Sequence, residues 1–393
     1  MLRSLYSGIS GLRSHQTMLD VTGNNIANVN TTAFKSSATQ FRDTLSQLSQ
    51  GAGGPQAQVG GTNPSQIGLG VQVAGISTNF AQGSAQATGR ATDIMISGDG
   101  FFVTHLGGDT LYTRAGSFDF DASGRLVAPD GSIVQGWGAV NGFVTEGGAI
   151  GWITLPLDAV APASATTSAL LGGNLPSDAA TGTVLVRDVE VYDASGAPRT
   201  LTISFTKTAG GWDVEGDDDG TPAIPAEQDA LTFAGGALTS GGSITVNGVA
   251  VDLTGITGFA DLTTVSVTSQ DGRDAGTLDS FTLAKDGTLV GSFSNGTSEA
   301  IGRIVLASFV NPGGLEKAGS SSYRATFNSG NAEIGAPGAA GLGSLTSGAL
   351  EMSNVDLSQE FTNLIVAQRG FQANARIITT SDEVLQELTN LKR

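Results

Sequence analysis

Thirty-six acidic residues set against two histidines and no cysteine define the chemistry open to this 393-residue chain. Without cysteine there are no disulfides, zinc–thiolate sites, iron–sulfur clusters or thiol nucleophiles. Any metal site would be nearly all oxygen. The best such run is Glu215-Gly-Asp-Asp-Asp-Gly220, with Glu227 downstream. It offers acids at positions 1, 3 and 5 and Gly at 6 of a calcium loop, but Ala226 stands where the bidentate Glu belongs. We read it as a solvated acidic hairpin loop, with no metal and no cofactor expected. A serine triad would need His15 or His105, and neither has a constellation near it. No Gly-x-Ser-x-Gly elbow occurs, and no Lys follows a Gly to make a phosphate loop. Carboxylate pairs exist in any chain this acidic, but aromatics at 6% leave few rings for stacking sugars. Gly98-Asp-Gly100 before Phe101-Phe102 reads as a turn feeding a buried strand, not a phosphate cradle. These residues point to a structural or binding protein, not an enzyme.

The charge says where such a protein keeps its materials. The net charge is −17, which argues against nucleic acid as a partner. Residues 1–50 carry four bases and two acids, and residues 350–393 four bases and six acids, so the ends cancel and the middle holds the excess. All eleven prolines lie between Pro55 and Pro337. The longest apolar runs are four residues, such as Leu364 to Ala367, so no membrane insertion is expected. Met1 to Asn30 also lacks the apolar stretch of a cleavable signal peptide.

Both ends have helical periodicity. Leu2, Leu5, Ile9, Leu12, Gln16, Leu19, Gly23 and Ile26 alternate spacings of three and four. Leu357, Phe361, Leu364, Gln368, Phe371, Ala375, Ile378, Asp382 and Leu385 do the same, and Leu388 and Leu391 continue the face. Such stripes are coiled-coil-like. Ser353 or Asn354 is expected to cap the second helix. Two single amphipathic helices cannot bury their stripes alone, so the spacing predicts that they pair. Gly8, Gly11 and Gly23 should weaken the first helix by about 1 kcal/mol each. His15, beside the stripe, is expected on the helix surface.

Between the helices the pattern is all-β. Short alternating runs such as Val184–Tyr192 and Thr200–Phe205 are separated by Asp-Gly and Asn-Gly pairs, among them Asn247-Gly248 and Asp271-Gly272. The fold class expected is mixed: long terminal α-helices pairing as a coiled-coil-like layer, with two nested sandwich- or barrel-like β domains between them. The expected boundaries are 1–49 for the N-terminal helix and following segment, 50–71 for a linker arm, and 72–152 with 277–349 for a first β domain. An inserted outer β domain takes 153–276, and 350–393 is the C-terminal helix.

Several motifs resemble the flagellar rod–hook axial protein family. At the N-terminus these are Ser10-Gly-Leu, Leu19-Asp-Val, Gly23-Asn-Asn-Ile-Ala-Asn28 and Thr32-Ala-Phe-Lys35, departing from the family at Ala33, where Gly is usual. In the β region they are Gly98-Asp-Gly-Phe-Phe-Val103, Leu111-Tyr-Thr-Arg-Ala-Gly-Ser-Phe118 and Leu306-Ala-Ser-Phe-Val-Asn-Pro-Gly-Gly-Leu315. At the C-terminus they are Gly348-Ala-Leu-Glu-Met-Ser-Asn-Val-Asp-Leu357 and Gln368-Arg-Gly-Phe-Gln-Ala-Asn-Ala-Arg376. The resemblance implies a secreted, self-assembling subunit of a helical tube: the short curved hook that joins flagellar rod to filament around the export channel. A distal rod subunit of the same family, and more remotely a secreted acidic β-domain adhesin, are the alternatives. It also implies partners: further copies of the chain, the distal rod protein, the hook cap, the hook–filament junction protein and the flagellar type III export apparatus. Its place would be extracellular, in the flagellum, reached without a cleavable signal peptide. The stripes Leu2, Leu5, Ile9, Leu12, Leu19 and Ile26, and Leu357, Phe361, Leu364, Phe371, Ile378 and Leu385, become the assembly interface. Phe41-Arg-Asp-Thr-Leu45 matches the family's Phe-x-x-x-hydrophobic export element, against the plainer reading of a buried pair at helical spacing.

Overall fold

A computed structural model describes residues 2–390 except 56–57, 59, 141, 156–159, 219–227 and 340. Two compact units emerge. The first takes Met1–Leu155, Thr282–Val290 and Ala300–Arg393, and the second takes Pro156–Phe281 and Gly291–Glu299.

The first unit begins with helix α1 (Leu2–Ala27) and ends with helix α2 (Leu357–Asn390). At 1.5 Å per residue they run about 39 and 51 Å. Asp356, rather than Ser353 or Asn354, caps α2: its carboxylate accepts the backbone N–H of Ser358 at 2.8 Å and of Gln359 at 3.2 Å. A carboxylate there also favours the positive end of the helix dipole.

After α1 the chain forms strand β1 (Ser37–Asp43) and strand β2 (Ser46–Gln50), and returns through β3 (Ser65–Gly68) and β4 (Val71–Thr78). β1 pairs antiparallel with β4 and β2 with β3, and a bridge joins Gly53 to Thr62. The described residues of 50–71, expected as a linker, therefore contribute to one long two-stranded ribbon. Most of its residues are exposed, including Leu45, Leu48, Ile67 and Ile76.

The β body of this unit interleaves the two halves of the chain. Phe101–Leu106 pairs with Asp109–Thr113, with Ile133–Val140 and with Leu306–Ser308. Ser344–Ser347 pairs with Ile94–Ser97, and Ala349–Glu351 with Ala85–Ala87. The core stacks Phe101, Tyr112, Trp137, Phe309 and Tyr323. Tyr112 meets Phe309 edge-on at 4.8 Å, the geometry aromatic quadrupoles favour.

The second unit is a sandwich. One sheet runs Val184–Tyr192, Pro198–Lys207, Trp212–Asp218, Gln228–Ala234 and Ala237–Ser240; the other holds Ser168–Asn174, Ser243–Val246, Val249–Thr257 and Ser266–Gln270. Alternate residues of both bury Leu171, Leu201, Ile203, Phe205, Trp212 and Val251. Asn247 and Gly248, at φ 47° and 84°, form the two-residue hairpin the sequence anticipates, with Val246 opposite Val249. Asp271-Gly272 does not. The Asp271 carboxylate instead accepts N–H and O–H donors from Thr167 and Ser168, tying the sandwich's first strand to its last. Burial opposes its ionisation, but these hydrogen bonds outweigh burial and pull its pKa down to about 2.

Candidate functional site

The helices pair antiparallel, one residue of advance on α1 answering one of retreat on α2. A Cβ on Gly8 would touch Ile377, one on Gly11 would meet the Asn374 amide at 2.6 Å, and one on Gly370 would strike the His15 ring at 2.5 Å. Further along, Asn25 Nδ2 donates to Glu360 Oε1 at 3.0 Å. Two of the three glycines expected to weaken α1, Gly8 and Gly11, thus sit where α2 comes close, whereas a Cβ on Gly23 would meet nothing within 4 Å. His15 is not a free surface residue. Its ring fits over Gly370 because that residue has no side chain, and its buried Nδ1 has no hydrogen-bond partner.

The buried positions of α1 are Gly8, Gly11, Ser14, Thr22 and Asn25. The apolar stripe lies roughly a quarter turn away around the helix. Leu5, Ile9, Leu12, Leu19 and Ile26 are half-buried, and the Leu2 side chain lies outside the described residues. On α2, Leu364, Phe371, Ile378 and Leu385 are half-buried, whereas Leu357 and Phe361 are 39% and 51% exposed. Ile365, Val366, Ile377 and Val384 add exposed apolar surface on α2 outside that stripe. The helices meet along small and polar residues and leave their larger apolar residues on the flanks.

Phe41 lies in β1, with its ring 5.7 Å from that of His15. Leu45, between β1 and β2, is 83% exposed. A buried pair at helical spacing is not what forms, because this segment is strand and turn.

Where both helices join the body lies a buried ionic cluster that the sequence reading missed. Lys35 Nζ donates to Glu351 Oε1 at 2.6 Å and to the Ala81 carbonyl at 2.8 Å, with both charged side chains fully buried. Arg114 lies 3.5 Å from the same carboxylate oxygen and donates to the Gly98 and Gly100 carbonyls. Burial pushes the Lys35 pKa down, and the Glu351 hydrogen bond and charge pull it partly back. Four family-like motifs thus meet in one place: Thr32–Lys35, Gly98–Gly100, Leu111–Phe118 and Gly348–Leu357. Ala33 sits beside the cluster at φ 55°, its N–H donating to the Glu351 carbonyl at 2.8 Å. A left-handed backbone is why glycine suits that position. Charged residues inside a turn motif were the available signal, but nothing in the sequence pairs positions 35 and 351.

Among the described residues no group of three His, Asp or Glu is placed to hold a metal. Glu215–Asp218 belong to a strand rather than a loop, and Asp218 bonds Arg199 at 2.6 Å and Asn247 at 2.7 Å. Asp219, Gly220 and Glu227 lie outside the described residues. Nor is any described helix long and apolar enough to cross a membrane.

Three family models match the chain. Residues 5–35 match "Flagella basal body rod protein", 95–168 the "Flagellar hook protein FlgE/F/G D1 domain", and 346–391 the "Flagellar basal body rod FlgEFG protein C-terminal". The flagellar hook protein FlgE of Borreliella burgdorferi is 39% identical, with all of both chains covered. That of Salmonella typhimurium is 36% identical over 99% of this chain and 100% of its own. A Bacillus subtilis flagellar basal-body rod protein FlgG is 35% identical, again with all of both chains covered, so chain length does not separate relatives bearing the two names. The paired end helices, the motif-built cluster at their root and full-length identity of this order give one conclusion: the chain belongs to the flagellar hook protein FlgE family.

Proposed function

We propose that the chain is a structural subunit of the flagellar hook, assembling with further copies into a curved tube around the export channel. The observation that carries this reading is the helix pair: it closes along a seam of small residues while its leucines, isoleucines and phenylalanines stay half open on the flanks. Apolar flanks of that kind gain stability by packing between neighbours. The stripe residues, Leu2 to Ile26 and Leu357 to Leu385, are the assembly surface, and the two β units form the outer layers. The tube would meet the distal rod protein at one end and the hook cap and hook–filament junction protein at the other. The chain would leave the cell through the type III export apparatus, without a cleavable signal peptide, with Phe41 and Leu45 as the export element. Electron microscopy of purified chain left to polymerise tests the reading. Curved tubes are expected; straight tubes would mean a rod subunit, and no polymer would refute both.

A further inference from the structure

Phe327 is completely exposed, and Val310 is 84% exposed. Neither is on a floppy loop. The hydroxyl of fully buried Ser329 donates to the Thr326 carbonyl at 2.8 Å and accepts the Thr326 N–H at 2.9 Å. Thr326 Oγ1 donates to the Gly314 carbonyl at 2.6 Å, and Asn311 Nδ2 to the Asn328 carbonyl at 2.9 Å. The Asn311 N–H also donates to the Ser329 carbonyl, which brings Val310 alongside this turn. A rigid turn thus holds an aromatic ring out in water, at a cost in solvation that nothing within the single chain offsets.

The same hairpin carries a hole at its other end. Glu316–Gly319 pairs with Ser322–Arg324, and Thr326 follows the open end. The closed end, Gly319-Ser320-Ser321, has positive φ at all three residues and walls a cavity of about 500 Å³. Phe34, Ala128, Pro129 and Tyr323 give the cavity apolar surface, and Asn28 and Ser320 give it polar groups. It has room for a phenylalanine side chain together with a neighbouring apolar residue such as the adjacent Val310. Knob and hole are at opposite ends of one short, rigid hairpin, so a chain cannot fill its own hole.

We propose that Phe327 of one copy seats in this cavity of the next copy. Two complementary patches at different places on one molecule make a head-to-tail contact, which repeats into open helical arrays instead of closing as a dimer. An aromatic anchor in a preformed pocket is also the usual form of an energetic hot spot. The inference rests on the chain being a polymer subunit, and supplies one specific contact between β bodies beyond the helix layer.

The chain has no cysteine, so Asn328→Cys with Pro129→Cys introduces the only two thiols and keeps the Phe327 ring. Both positions are exposed, so folding should survive. The full-length double variant, assembled well above its critical concentration, is treated with a short bis-maleimide and denatured. A ladder of covalent multimers is expected, with each single variant remaining monomeric. If wild-type chain forms no polymer, the hook reading and this contact fall together. An assembled double variant that gives no ladder overturns the contact alone. Phe327→Ser should also raise the critical concentration about tenfold or more while the monomer melts normally; an unchanged critical concentration would equally overturn it.

Discussion

Single residues at the root of the helices carry much of the first unit's stability. Lys35 and Glu351 are far apart in sequence and fully buried together, so removing one charge strands the other. Glu351→Gln is expected to destabilise the first unit by about 3–5 kcal/mol in denaturant unfolding. A loss within a few tenths of a kcal/mol would mean that the cluster is hydrated in solution. Ala33 offers the opposite case. A left-handed backbone costs a non-glycine residue about 1–2 kcal/mol, and glycine's greater unfolded-state freedom takes back about 0.4–1. Ala33→Gly should therefore stabilise by up to about 1.5 kcal/mol, seen as a small rise in melting temperature. Lower stability would show that the Ala33 methyl, completely buried here, packs better than its backbone strain suggests.

The claim of polymer function is tested on the helices and the ribbon. Phe371 is half-buried in the single chain. If neighbours complete its burial, truncation costs about 3 kcal/mol, or a hundredfold in critical concentration. Phe371→Ala is expected to abolish tubes while calorimetry of the monomer keeps the main β transitions. A large fall in those transitions with polymer yield unchanged would contradict the assigned role. For export, Phe41→Ala with Leu45→Ala should reduce secreted chain while the β units fold as before, because neither residue lies in a buried core; undiminished secretion would remove the export element. The heptad spacing located both helices, since period survives in any sequence whose large apolar residues repeat. It misjudged the seam, because Gly8, Gly11, Ser14 and Gly370 carry no hydrophobic signal. Their importance depends on how near the second helix comes, which a one-dimensional pattern does not contain. Likewise the ribbon's glycine- and glutamine-rich segment reads as linker, because its pairing is backbone to backbone. In the second unit, alternating runs such as Val184–Tyr192 and the Asn247-Gly248 turn, being local chemistry, were legible, whereas Glu215–Asp218, so acidic that they read as a solvated loop, are strand.

At the scale of the whole molecule, two separate cores predict two unfolding transitions. Glu351→Gln should lower only that of the first unit. Acid should act through Asp271 on the second. Its folded pKa, about 2, is below the ordinary 3.8, so its contribution is complete above the higher value and lost as pH falls through the lower. Asp271→Asn should therefore flatten the acid dependence of the second transition between those values. Calorimetry from pH 5 downward checks this; an unaltered acid profile in the variant would assign the dependence to other carboxylates.

The junction of helices and body has a mechanical meaning as well. Ala33 bonds Glu351 backbone to backbone, Ser36 donates its N–H to Asn354 Oδ1 at 2.8 Å, and Lys35 grips the Glu351 carboxylate. The chain leaving α1 and the chain entering α2 are therefore clamped side by side where they meet the β body. A pull or twist arriving along the helix pair divides between two strands loaded in parallel. Bonds between strands sheared together must fail as a group, whereas a single tether peels one bond at a time. In the proposed tube, a joint made this way would stay stiff in its attachment and leave bending to the surfaces between subunits.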